Sequence, residues 1–263
     1  MSRLDPVFAR SRAEGRAALI GYLPAGYPTV DGSAERLTAM IDSGCDIVEV
    51  GVPYSDPVMD GPTVQAAADL ALRGGFRLRD LFRVVEQVSS AGGHAVVMTY
   101  WNPVHRYGVD RFARDLAAAG GLGVITPDLI PDEGADWIAA AAEHDLDRIF
   151  LVAPSSSTER IATTTAATTG FLYAAAVMGV TGARDRVGVA ASGLVARARE
   201  CTDLPIAVGL GVRSGDQAAE IAGFADAVVV GSAFVSRAGE VAKLRELAEE
   251  LADGVRRPMV PSR

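Results

Sequence analysis

The sequence predicts an α/β chain folded as one closed (β/α)8 barrel, the TIM-barrel class, with a short N-terminal helix and a frayed C-terminal tail. Short apolar runs rich in β-branched residues alternate with Ala/Leu-rich runs of helical period, and the alternation repeats eight times. The strand-like runs are continuously apolar, as strands buried on both faces must be. The chain has 263 residues and no linker rich in Ser, Pro or Gly, so one catalytic unit is expected over residues 1–263. An open doubly wound sheet of eight strands is the structural alternative.

The units follow in order. "AALIGYLP" (17–24) leads into the helical "SAERLTAMIDSG", and "DIVEVGV" (46–52) into "TVQAAADLALRGG" and "RDLFRVVEQVSSAGG". "AVVMTY" (95–100) precedes "DRFARDLAAAGG", and "GVIT" (123–126) precedes "DEGADWIAAAAEH". "RIFLVA" (148–153) is followed by "STERIATTTAAT", and "FLYAAA" (171–176) by a helix within "GVAASGLVARARE". "PIAVGL" (205–210) and "AVVVG" (227–231) complete the set, with "SGDQAAEIAGF" and "AGEVAKLRELAEEL" after them. Helices begin after Ser, Thr or Asp and stop near Gly, as capping chemistry requires. "GVRRPMVPSR" is the frayed tail.

Composition narrows the function. A net charge of −8 and a pI near 5.0 disfavour nucleic acid and anionic membrane surfaces. The N-terminus lacks an apolar signal core, and no apolar run has the length of a membrane span. The two cysteines, Cys45 and Cys201, read as core thiols. A cytoplasmic protein is expected.

In a barrel, chemistry sits where strands end and βα loops begin. Strand side chains alternate, so Val48, Val50 and Val52 face the helix ring while Ile47, Glu49 and Gly51 face inward. Glu49 is therefore an acid inside an apolar barrel, where desolvation raises its pKa toward neutrality. An isolated strand acid is as readily a structural ion-pair partner. The loop that follows, "PYSDPVMDGP", tips the balance: it carries Asp56 and Asp60 among Pro53, Pro57 and Pro62, which stiffen the backbone. Either loop acid could still be turn chemistry.

The seventh and eighth strands end in "VGLGVRS" and "VGSAF". Gly209, Gly211, Gly231 and Ser232 stand at the two ends where barrels commonly build a phosphate cup from close backbone N–H groups. Gly182 and Thr181, in "GVTGARD" after strand six, are further candidates on a segment that reads as a surface loop or a lid. Tyr22, Tyr100, Ile125, Leu151, Tyr173 and Leu210 fall near strand C-terminal halves and would line an apolar slot, although for any one of them barrel core is the plainer reading.

Other chemistries are removed by what the sequence lacks. Its one lysine, Lys243, lies in the last helix, so an imine mechanism has no amine at a strand end. His94, His105 and His144 form no spaced metal set, and no metal is expected. "LPAGYPT" lacks a dinucleotide fingerprint, and "SSST" (155–158) reads as a helix cap. Acid–base catalysis by carboxylates on a small phosphorylated molecule is left.

"EVGVPYSDPVMDGPTVQ" closely resembles the signature of the tryptophan synthase α-subunit family, and "GYPT", "GVTGAR", "GLGVRS" and "VGSAF" match in order and spacing. The resemblance runs from about Leu19 to about Ser236. It implies a lyase that cleaves indole-3-glycerol phosphate to indole and glyceraldehyde 3-phosphate in tryptophan biosynthesis. It implies Glu49 as the acid/base, supported by Tyr173, and Asp60 on the indole N–H. Gly182, Gly211, Gly231 and Ser232 would hold the phosphate, and Thr181 would help close the site. It also implies no cofactor in this chain and a β-subunit partner that carries pyridoxal phosphate, in an αββα complex. The alternatives are another phosphate-binding barrel isomerase or synthase, and a catalytically silent activating subunit.

Overall fold

The computed structural model describes residues 2–176, 184–209 and 211–257, with the backbone alone for 184–188. Thr181, Gly182, Leu210 and the expected tail beyond residue 257 lie outside the described residues. The strands are β1 (Ala18–Pro24), β2 (Ile47–Gly51), β3 (Ala95–Met98), β4 (Gly123–Ile125), β5 (Asp147–Ile149), β6 (Leu151–Val152), β7 (Leu172–Ala175), β8 (Ile206–Gly209) and β9 (Ala227–Val230). The helices are α1 (Asp5–Ala13), α2 (Val30–Asp42), α3 (Pro62–Arg73), α4 (Leu78–Ser90), α5 (Trp101–Tyr107), α6 (Val109–Ala118), α7 (Ala135–Glu143), α8 (Thr158–Ala167), α9 (Arg184–Arg199), α10 (Gly215–Ala222), α11 (Ser232–Arg237) and α12 (Val241–Val255).

All strand pairs are parallel, in the order β5-β4-β3-β2-β1-β9-β8-β7-β6. β5 and β6 are two pieces of the fifth predicted strand, separated by Phe150 alone. Ile149 pairs with Ile125 on one side and Leu151 with Tyr173 on the other, so this strand closes the sheet on itself. Closure rules out the open doubly wound alternative.

The alternation read from strand two holds. Val48, Val50 and Val52 pack in the layer between barrel and helices, whereas Ile47 belongs to the barrel interior with Ile20, Val96 and Ala227. α1 and its N-cap Leu4 supply Leu4, Val7 and Phe8 to that interior, beside Leu122 and Phe171 at the strand N-terminal ends. The Phe8 and Phe171 rings lie 5.7 Å apart. Burying each such side chain is worth about 1.5–3 kcal/mol, enough to hold α1 as a plug in the lower mouth. Helix starts follow the capping rule: Thr29, Ser157 and Ser214 accept from the N–H groups of Gly32, Arg160 and Gln217.

Two short helices were not expected from the periodicity. α5 interrupts the third unit, and the Asp128 carboxylate accepts its Trp101 N–H at 2.9 and 3.1 Å. Pro103 sits in its first turn, where a missing N–H costs nothing. α11 directly follows β9. Both are too short to show a helical period of their own.

Candidate active site

A cavity of about 530 Å3 opens at the strand C-terminal ends, and Glu49, Asp60, Tyr22 and Tyr173 are on its wall. Gly209, Gly211, Gly231 and Ser232 line the same cavity. The loops after β2, β8 and β9 thus converge on one space. A cavity of about 330 Å3 beside α1, at the opposite end, holds neither Glu49 nor Asp60.

Glu49 is held by the sheet itself. It pairs in register with Tyr22 of β1 and Val96 of β3, and only 1% of it is exposed. Its Oε1 is buried with no hydrogen-bond partner among the described residues. Burial alone pushes its carboxyl up to about 8. No described hydrogen bond joins Tyr173 to Glu49; burial, and then the Glu49 charge, raise the tyrosine hydroxyl well above its usual range.

Asp60 stands at the end of the loop, just before Gly61 caps α3 and Pro62 begins it. It is half-buried. Burial raises its carboxyl, and a hydrogen bond from the Tyr100 hydroxyl at 3.0 Å offsets part of the rise. The same hydroxyl accepts the Met59 N–H at 3.0 Å. Tyr100 therefore grips both the acid and the backbone beside it. Tyr54 packs on Tyr100 with ring centroids 5.5 Å apart, and its own hydroxyl accepts from Asn102 Nδ2 at 3.0 Å. Asp56 is exposed, accepts from Ser55 Oγ at 2.5 Å, and is not on the cavity wall.

Both cavity tyrosines lie across glycines. A Cβ at Gly51 would collide with the Tyr22 ring, and one at Gly209 with Tyr173. Gly211 has φ +68°, a left-handed turn that L side chains rarely adopt, at the point where the chain leaves β8. Gly231 has a negative φ, −111° with ψ −82°, and Tyr22 is 3.7 Å from where its Cβ would be.

Ile125 is not on the wall. It is fully buried in the barrel interior, below the layer that meets the cavity. Inward orientation was right for it, but parity along a strand does not give depth. Tyr100 meets the site through Asp60 rather than as an apolar wall, and it caps α5 instead of ending β3. Met98, Val229 and Arg213 line the cavity and escape a reading based on acids, aromatics and glycines. Met98 was detectable, being two residues from inward-facing Val96. Lys243 is exposed on α12 and pairs with Glu240 at 2.7 Å. Among the described residues the one group with metal-capable atoms close together is Asp110, Glu143 and His144, on the helix ring.

The family model described as "Tryptophan synthase alpha chain" matches residues 8–257. A curated tryptophan synthase alpha chain from Nocardia farcinica is 66% identical over 262 residues, covering 99% of this chain and 98% of that protein. A solved structure of Mycobacterium tuberculosis tryptophan synthase superposes with a TM-score of 0.93 at 63% identity, over 97% of this chain and 99% of the other. The tryptophan synthase subunit alpha of Legionella pneumophila keeps a TM-score of 0.88 at 28% identity, over 97% and 98% of the two chains.

Proposed function

The chain belongs to the tryptophan synthase alpha chain family, the lyases that cleave indole-3-glycerol phosphate to indole and glyceraldehyde 3-phosphate, and on that premise we propose how its side chains divide the reaction. Glu49 is the general acid and base. With its carboxyl pushed up to about 8, it is largely protonated at neutral pH and donates to indole C3. The resulting carboxylate takes the proton of the glycerol hydroxyl next to the ring. The carbon–carbon bond then breaks toward the ring, the hydroxyl carbon becomes an aldehyde, and Glu49 ends protonated again. The positive charge that appears on the ring nitrogen is the electron sink. Asp60 accepts the indole N–H and offsets that charge, so no imine is needed.

Gly211, Gly231 and Ser232 form the phosphate cup, and Tyr22 and Tyr173 flank the indole. The sequence assigns Gly182 to the phosphate, Thr181 to closing the site and Leu210 to the indole slot, and all three lie outside the described residues. Family members work without a cofactor and pair with a β subunit that carries pyridoxal phosphate. Val58 is 74% exposed and Ile130 43% exposed, both on loops at the active-site end, which supports partner docking there.

The buried Glu49 carboxyl, whose Oε1 has no partner among the described residues, carries this reading. An uncompensated acid is costly inside an apolar barrel unless its proton is used. Glu49→Gln should lower indole release by roughly 10³-fold with the far-UV spectrum unchanged. Indole release is followed with and without a purified β subunit, and near-parental turnover in either arm ends the assignment.

A further inference from the structure

Arg213 is the only Lys, Arg or His among the residues described on the cavity wall. It lies between β8 and α10, two residues after Gly211, and its side chain is exposed at the mouth. Its backbone is fixed: Gln217 Oε1 accepts the Arg213 N–H at 2.8 Å, Ser214 Oγ accepts the Gln217 N–H at 3.4 Å, and Val212 is buried to 2% exposure. Arg199 and Arg257 are engaged by Asp226 and Asp216, whereas no described carboxylate engages the Arg213 guanidinium.

The charge balance of the cavity gives that cation a task. The wall carries the Asp60 carboxyl, Glu49 being largely protonated at neutral pH, and the chain as a whole is at −8. A phosphate monoester adds up to two more negative charges. Gly211 and Gly231 offer N–H dipoles, and Ser232 an N–H and a hydroxyl, none with a formal charge. We propose that Arg213 anchors the substrate phosphate through its guanidinium and thereby selects phosphorylated over unphosphorylated indole glycerol. The fork of a guanidinium matches two phosphate oxygens, and charge-assisted hydrogen bonds are about twice as strong as neutral ones. The contact is made equally in ground and transition states, so it acts on binding rather than on the chemical step. The inference rests on the assignment of Gly211, Gly231 and Ser232 as the phosphate cup.

The test uses the full chain, with indole-3-glycerol phosphate as substrate and inorganic phosphate as competing probe. Arg213→Ala should raise KM about tenfold and leave kcat within about twofold. The inhibition constant for phosphate should rise by a similar factor, and Arg213→Lys should recover part of both. Unchanged KM and inhibition constant, or a fall in kcat alone, overturns the anchor. Gly231→Asp separates this from the cup itself, because Tyr22 at 3.7 Å is an ordinary contact for the added Cβ and the new carboxylate would repel phosphate. If Gly231→Asp weakens phosphate binding and Arg213→Ala does not, the cup stands and Arg213 has no part in it. If Gly231→Asp also has no effect, the cup is misplaced.

Discussion

Asp46 and Glu49 are three residues apart in one stretch of chain, and both are buried, at 5% and 1% exposure. They are held in opposite ways. Asp46, at the N-terminal entry to β2, accepts from Arg16 Nη1 at 2.7 Å and Nη2 at 2.8 Å, from Arg10 Nη2 at 3.1 Å and from the Leu19 N–H at 2.9 Å. Burial pushes its carboxyl up, but the Arg16 hydrogen bonds, with Leu19 and Arg10, outweigh that and hold it below the usual range. Glu49, near the C-terminal end, has burial without compensation, and its carboxyl rises to about 8. The lower mouth satisfies its charge and gains structure. The upper mouth leaves a carboxyl without a counter-charge, so it keeps its proton and serves as a donor.

The sharpest break of this contrast is Asp46→Ala. Arg16 has only 5% of its side chain exposed and would keep Glu14, itself half-exposed, as its one carboxylate beside the Ala17 carbonyl. Breaking a buried pair from one side costs about 3 kcal/mol or more, read from the denaturant midpoint. The effect also has a pH signature. A carboxyl held below its unfolded value stabilises the fold above about pH 4, and that contribution disappears as pH falls through the folded pKa. The gap between parent and Asp46→Asn should therefore narrow in acid, and a gap constant down to about pH 2 would contradict the pairing.

Glu49→Gln should show the reverse sign on a similar scale. Its folded carboxyl binds the proton more tightly than the unfolded one, so ionisation costs stability increasingly between about pH 4.5 and 8. The Gln variant escapes that cost. Its advantage over the parent should be about 3 kcal/mol or more larger at pH 8 than at pH 5. Thermal melts at the two pH values read the difference, and an advantage equal at both would mean that Glu49 is not raised.

The two acids were not equally legible in the sequence. Glu49 shows itself locally, because a two-residue period places it inward and the eight-unit count places that strand end at a functional mouth. The pairing of Asp46 depends on Arg16, thirty positions upstream and brought close only by the β1–β2 register, so no local pattern contains it. The glycines after β8 and β9 were legible because chain reversal and close approach restrict residue type. Arg213 was not, since a charged residue in an exposed loop is ordinary until the cavity beside it is seen. Ile125 marks the remaining gap: its inward parity was readable, but its layer was set by barrel stagger that sequence period does not encode.

The smallest expected effect concerns Asp60, which stands between the two extremes: burial raises it, and one hydrogen bond from Tyr100 pulls it partly back. Tyr100→Phe removes the hydroxyl from both of its contacts, Asp60 Oδ1 and the Met59 N–H. A hydrogen bond to a carboxylate is worth about 1.5 kcal/mol or more, so indole-forming kcat/KM should fall by roughly tenfold. The direction in pH is more telling than the size. Without the hydroxyl the Asp60 carboxyl rises further, and activity that needs it ionised is lost at higher pH than in the parent. The acid limb of the kcat/KM profile should therefore move toward neutrality while the alkaline limb, set by Glu49, stays in place. If both limbs moved together, Tyr100 would be acting on the whole cavity rather than on Asp60.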